Sequence, residues 1–169
     1  MSSNHALLAL LDAACWAVWS TICGYLAHRL PPSLLARPPR PAPGRVERFE
    51  TGLRIKAWKD SLPEAGSLFR GGFSKRHLQA HDRSYLQRFA IETRRAELAH
   101  WAILALGPFF FAWNPWWLGL AMLAYALVAN VPCIAVQRYN RARLGALLTR
   151  GAARAASDRP DHEQRITEP

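Results

Sequence analysis

The chain alternates between long apolar runs and densely charged ones, with little mixing. The first run, ALLALLDAACWAVWSTICGYLA at residues 6–27, predicts a helix long enough to cross a hydrocarbon core of about 30 Å. A second, WAILALGPFFFAW at 101–113, is short and reaches a crossing length only by extending back through Ala96–His100. A third, WWLGLAMLAYALVANVPCIAV at 116–136, follows after a tight Asn114–Pro115 connection. Trp101, Trp113, Trp116 and Trp117 fit the aromatic belts of membrane interfaces.

Between these runs the pattern changes. RLPPSLLARPPRPAPGR at 29–45 holds six of the twelve prolines and reads as an extended linker. Leu53, Ile55 and Ala57 alternate with Arg54 and Lys56, a short strand-like or interfacial pattern. Gly71–Gly72 mark a turn, and a helix is expected from Asp82, with Asp82 or Ser84 as its cap. On that helix Leu86, Phe89, Ala90, Thr93, Glu97 and His100 recur at steps of three and four, forming one stripe that turns polar as it approaches the membrane. The tail is rich in Ala, Arg and Asp, and disorder is expected after Ser157.

Charge settles the class of surface. The net charge is +10, but 15 of the 22 Lys and Arg lie between Arg29 and Arg95, and the other seven between Arg138 and Arg165. Such segregation fits a membrane protein and argues against nucleic acid as partner. The positive-inside rule then gives three spans, N-out and C-in, in the cell (inner) membrane, with the basic loop and its interfacial helices in the cytoplasm. The fold class expected is an all-α integral membrane protein. It comprises an N-terminal transmembrane helix (1–28), a Pro-rich linker (29–45), a membrane-embedded core with a helical hairpin (46–148) and a flexible tail (149–169). A cleaved signal peptide is the weaker reading of the N-terminus, since no basic stretch precedes the run and Asp12 interrupts it. A re-entrant hairpin is the main alternative if the third span fails to cross. Cys15, Cys23 and Cys133 lie in apolar runs without metal or disulfide spacing.

Three polar groups carry candidate chemistry. In ETRRAELAHW (92–101), Thr93, Glu97 and His100 share a helix face, so Glu97 could fix the tautomer of His100 as a base acting on an alcohol. In NVPCIAVQRYNRAR (130–143), Asn130, Gln137 and Arg141 lie on one line, and Pro132 can free a carbonyl. Because the second and third runs are antiparallel neighbours, Glu97 and His100 should sit beside Gln137 and Arg141. In HLQAHD (77–82), His77 and Asp82 have the order used by several lipid acyltransferases, although the other blocks of the large glycerolipid acyltransferase family are not in this chain. GGFSKR before it could cradle phosphate with backbone amides, Lys75 and Arg76. Di-iron helical bundles use two Glu-x-x-His motifs plus further Glu, and the chain has only Glu97-x-x-His100, so a metal would need a dimer; no metal is expected.

WKDSLPEAG (58–66), GGFSKRHL (71–78), RFAIETRRAELAHW (88–101) and NVPCIAVQRYNRARL (130–144) together resemble the glycosyl-4,4'-diaponeurosporenoate acyltransferase family, in order and with similar spacing. The resemblance implies a small integral membrane enzyme. It would move a fatty acyl group onto the primary 6-hydroxyl of a glucose carried by a C30 carotenoid acid. The motif positions here are Trp58, Lys59, Asp60, His77, Glu92, Glu97, His100, Gln137, Arg138, Tyr139, Asn140 and Arg141. Asn140-Arg141-Ala142-Arg143 stands where the family often has Asn-Arg-Pro-Arg.

The sequence therefore predicts a membrane O-acyltransferase with His100, Glu97, His77 and Asp82 as catalytic candidates. Lys59, Glu92, Asn130, Gln137, Arg138, Tyr139, Asn140 and Arg141 are the substrate-binding candidates. No cofactor is expected beyond an acyl donor such as acyl-CoA as co-substrate. The expected partners are membrane lipid, the donor and a hydrophobic glycosylated acceptor, and a homo-oligomer is allowed. The rival is a non-enzymatic scaffold whose basic loop binds anionic lipid or a partner enzyme. A scaffold would need the charge but not Glu97, His100 and Asn130.

Overall fold

The computed structural model describes residues 2–37, 44–62 and 83–157, which are helical with no strand among them. Helix α1 is Ser2–Arg29, α2 is Pro32–Leu35, α3 is Arg45–Gly52, α4 is Arg83–Leu104 and α5 is Trp116–Ser157. Short 3-10 helices occupy Ile55–Ala57, Lys59–Ser61 and Gly107–Ala112.

α1 and α5 contain stretches long and apolar enough to cross a membrane, His5–Arg29 and Trp116–Gly151. α1 is apolar all round, and much of it has no protein against it: Leu7, Leu10, Val18 and Leu26 are all more than half exposed. An apolar helix face of that size left uncovered is suited to lipid.

The middle run does not form one continuous helix. α4 stops at Leu104 and the chain continues into the 3-10 helix Gly107–Ala112. Pro108 explains the break, because its ring would clash with the carbonyl one turn back, at Leu104, and it has no N–H to donate. The 3-10 segment nevertheless packs along α5, where the bare backbones of Gly107 and Gly119 allow close approach to Leu123 and Ala126 and to Phe111. The reversal between α4 and α5 therefore takes in residues 105–115, longer than the two-residue connection expected.

Contacts fix the relative directions. Along α4 and α5, Tyr85 and Leu148 pack on the Leu86–Phe89–Ala90–Leu144 cluster, Glu97 meets Arg138 and Arg141, and His100 meets Asn130. Rising numbers on one helix meet falling numbers on the other, so the pair is antiparallel. α1 runs antiparallel to α4 as well. Trp19 Nε1 donates to the Ala102 carbonyl at 3.0 Å, and Arg95 Nη2 donates to the Leu30 carbonyl at 2.9 Å. The start of α1 thus lies beside the start of α5, where His5 meets Trp117 edge-on. One end of the bundle is aromatic; the other collects the arginines.

Near the aromatic end Asp12 is wholly buried. Trp113 Nε1 donates to its Oδ1 at 2.9 Å, and Asn114 Nδ2 reaches both carboxylate oxygens at 3.0 Å. A carboxylate inside an apolar helix is costly unless it is hydrogen-bonded. Here it ties α1 to the α4–α5 reversal.

The remaining connections differ from expectation in three places. The Pro-rich linker is not wholly extended, since Pro32 opens the single turn of α2, a position where proline costs no hydrogen bond. The strand-like 53–57 stretch is instead a 3-10 turn. Arg54 has φ 46, which breaks the extended path and turns Ile55 into the interior, fully buried. And α5 continues as helix to Ser157, well past the 148/149 boundary drawn for the tail. Gly71–Gly72, Lys75, Arg76, His77 and Asp82 lie outside the described residues.

Candidate active site

The stripe on α4 forms as its periodicity predicts. Leu86, Phe89, Ala90 and Thr93 are buried against the arginine-rich half of α5. Thr93 spends its hydroxyl on the Ala90 carbonyl of its own helix at 2.8 Å and contributes no polar group to a site.

One turn further on, Glu97 does not hold His100, in contrast to the sequence expectation. Its Oε1 accepts from Arg138 Nε at 2.7 Å and from Trp101 Nε1 at 3.3 Å, and its Oε2 accepts from Arg141 Nη2. Two guanidiniums attract a carboxylate far more strongly than a neutral imidazole does, and both stand on the facing helix. The Arg138 guanidinium also lies over the Trp101 ring, 5.7 Å from its centroid.

His100 is held instead by Asn130. Its Nδ1 lies 3.0 Å from Asn130 Oδ1, and Asn130 is buried. The tautomer follows from the other half of the amide. Asn130 Nδ2 donates to the Ala126 carbonyl at 2.9 Å, and a carbonyl can only accept. Reversing the amide would set two oxygens against each other. Oδ1 therefore faces His100 and accepts, and Nδ1 carries a proton. A polar residue inside an apolar helix has here become the group that orients a candidate base.

The other predicted positions divide into two sets. Gln137 and Asn140 are buried on α5, and the Gln137 Oε1 has no hydrogen-bond partner. Tyr139 is fully buried and donates to Glu50 Oε1 on α3 at 2.8 Å, so it secures α3 to α5. The bonds from Lys56 and then Tyr139 hold the Glu50 carboxyl below its ordinary value. Glu92 pairs with Arg95 on its own helix, and Lys59 pairs with its neighbour Asp60; neither lines the cleft described next.

That cleft, about 930 Å³, opens between α3, α4 and α5. Arg37, Arg45, Arg48, Arg94, Arg138 and Arg141 line it, with Phe49, Leu53 and Ala142 as apolar wall and Glu97 as the one carboxylate among its described lining residues. Arg94 also donates to the Leu35 carbonyl at 2.6 Å, and burial, then repulsion from Arg141 and Arg37, pulls its pKa below the ordinary arginine value. Arg141 Nη1 is buried without a partner. The sequence reading anticipated Arg138 and Arg141 but not Arg37, Arg45, Arg48 or Arg94, which are scattered over a linker, a short helix and α4 and carry no motif. Arginine density in the linker was the only signal available.

His100 and Glu97 are three residues apart on α4, about 4.5 Å of rise. The His100 imidazole therefore stands one turn from a cationic cleft, an arrangement that could serve group transfer from an anionic donor to an alcohol.

The model of the family described as "Glycosyl-4,4'-diaponeurosporenoate acyltransferase" matches residues 40–150. Among individual proteins, the chain is similar to the glycosyl-4,4'-diaponeurosporenoate acyltransferases of Staphylococcus aureus strain bovine RF122 / ET3-1 and strain MRSA252. It is 39% identical to each over 94 residues, which cover 56% of this chain and 56% of the relative. The corresponding protein of strain USA300 is 38% identical over the same share. The chain thus matches only a little over half the length of these relatives. No solved structure matches. The family match takes in α3, α4, the reversal and most of α5, and with them the whole His100–Asn130 and Glu97–arginine arrangement. The chain belongs to the glycosyl-4,4'-diaponeurosporenoate acyltransferase family.

Proposed function

We propose that this protein is a membrane O-acyltransferase that esterifies a hydroxyl, the sugar 6-OH, of a glycosylated carotenoid or related glycolipid. The observation that carries the reading is the His100–Asn130 pair set one turn from the Glu97–Arg138–Arg141 cluster. In the step proposed, His100 Nε2 takes the proton of the acceptor hydroxyl as its oxygen attacks the acyl carbonyl. The new ester C–O bond forms, the bond to the donor's leaving group breaks, and the imidazolium returns the proton to that group. Asn130 stabilises the imidazolium through Nδ1–H, and Arg138 and Arg141 offer positive charge to the developing oxyanion. Gln137, whose buried carbonyl oxygen has no partner, would accept from a sugar hydroxyl that reaches it.

The membrane arrangement belongs to the same proposal. α1, the segment from α4 through the 3-10 helix, and α5 form three crossings, N-out and C-in, with the arginine-rich end and the site toward the cytoplasm of the cell membrane. The antiparallel order and the collection of charge at one end support it. A water-borne donor then approaches from the cytoplasm while the apolar acceptor arrives through the bilayer.

The test is expression in cells supplied with a glycosylated carotenoid, followed by mass spectrometry of extracted lipid. An acyl-sized mass gain on the glycoside, absent without the protein, is expected. No gain on this or other glycolipids, with the protein present in the membrane, would leave the scaffold reading instead.

A further inference from the structure

The cleft holds far more positive charge than the proposed chemistry uses. Arg138 and Arg141 engage Glu97, which leaves the guanidiniums of Arg37, Arg45, Arg48 and Arg94 facing the same space with no carboxylate in the described lining beyond that shared Glu97. Four like charges around one cavity repel, and Arg141 Nη1 adds a buried donor with no acceptor. A cluster of this kind is stabilised by an anion carrying several oxygens, and guanidinium forks match phosphate. The volume, about 930 Å³, lies toward the upper end for small-molecule sites, so it exceeds what one inorganic anion fills. Phe49, Leu53 and Ala142 give the same cavity an apolar side, which suits a ligand with both phosphate and apolar parts.

We infer that this cleft binds the phosphate-bearing portion of the acyl donor, with Arg37, Arg45, Arg48 and Arg94 as its phosphate ligands. The inference rests on the acyltransferase reading for the word donor, while phosphate binding stands on the cleft itself. Phosphate attached to an acyl group has two sources, the diphosphate of a nucleotide thioester and the headgroup of an anionic phospholipid. In the first case the bond broken in the transfer is C–S and the proton ends on the thiol; in the second it is an ester C–O and the proton ends on the glycerol hydroxyl.

The experiment uses the full chain purified in detergent or reconstituted in nanodiscs, and reads binding directly, apart from acyl transfer. The probes are coenzyme A, inorganic pyrophosphate, and nanodiscs of phosphatidylglycerol against phosphatidylcholine. Arg45 and Arg48 are exposed, so their removal opens no hole in the core. The Arg45→Gln/Arg48→Gln variant should bind the preferred probe about ten- to a hundredfold more weakly. Arg150→Gln, an exposed arginine outside the cleft, should leave it unchanged. Arg45→Lys/Arg48→Lys, which keeps the charge but not the fork, should fall between. Tight coenzyme A binding displaced by pyrophosphate identifies the nucleotide source. Arginine-dependent preference for phosphatidylglycerol without coenzyme A binding identifies the lipid source. Binding of neither, or binding that the double variant leaves intact, overturns the inference. Arginine-dependent binding in a protein that transfers no acyl group would keep the phosphate site and reject the acyltransferase reading.

Discussion

Asn130, on the long apolar helix α5, accepts a hydrogen bond from Nδ1–H of His100 on α4 at 3.0 Å, and its own amide is locked by the Ala126 carbonyl. The two side chains act as one unit, because the fixed amide leaves the imidazole a single favourable tautomer. Replacing Asn130 by Ala removes the lock without touching His100, the proposed base. Acyl transfer should slow by about 10–100-fold, mostly in kcat. Asn130→Asp keeps an acceptor against Nδ1–H and should retain more of the rate than Asn130→Ala. A purely packing role for Asn130 would make Asp, which buries a charge in the apolar helix, the worse of the two.

Glu97 on α4 binds two guanidiniums that stand side by side on the facing α5. Glu97→Gln should lower the melting temperature of the detergent-solubilised protein, at a cost of about 1–3 kcal/mol, restrained by the half-exposed position of Arg138. A Glu97→Gln protein as stable as the wild type would show that the cluster contributes nothing to holding α4 on α5.

How much of this could be read from residues alone depends on the range of the interaction. The stripe of Leu86, Phe89, Ala90 and Thr93 followed from spacing on one helix, and its burial agrees. The neighbourhood of Glu97 and Arg141 followed from the antiparallel order of two runs. The partner of His100 did not follow. Glu97 is the nearer acid in sequence, and only the facing helix decides that it serves the arginines and that Asn130 serves the histidine. Pro108 is visible as a residue, but the apolar run around it reads as part of a span. The arginine cleft is assembled from three separate stretches that no local pattern connects.

Asp12 is the clearest such case: in sequence it only interrupts an apolar run. In the fold it satisfies Trp113 and Asn114. Asp12→Ala should destabilise the protein by about 1–3 kcal/mol, since the buried Asn114 amide and the half-exposed Trp113 N–H lose their acceptor, and Asp12→Asn, which keeps one carbonyl oxygen, should cost less. Thermal unfolding in detergent measures both, and equal melting temperatures for all three proteins would mean that α1 is not held at this point.

Gly119 lies under the Phe111 ring, where an added Cβ would come within 2.7 Å of a ring carbon. Gly119→Ala should therefore push the 3-10 segment off α5 and cost about 1–3 kcal/mol, whereas Gly52→Ala, which meets nothing, should not.

The pH dependence near α3 has a definite sign. Lys56 and Tyr139 hold Glu50 below its ordinary value of 4.5, so Glu50 binds its proton more weakly in the fold than in the unfolded chain. Its contribution is present in full above 4.5 and disappears as pH falls through the lower folded value. Wild type and Glu50→Gln should thus differ in stability at neutral pH and converge in acid. A difference that grew on acidification would contradict the assignment.

The most direct test of the central claim compares wild type with His100→Ala at matched membrane levels, following the acylated glycoside by mass spectrometry over time. The account predicts that the substitution slows acyl transfer by about 10²–10⁴-fold while the protein still accumulates in the membrane. Equal rates in the two proteins would contradict it and remove His100 as the base.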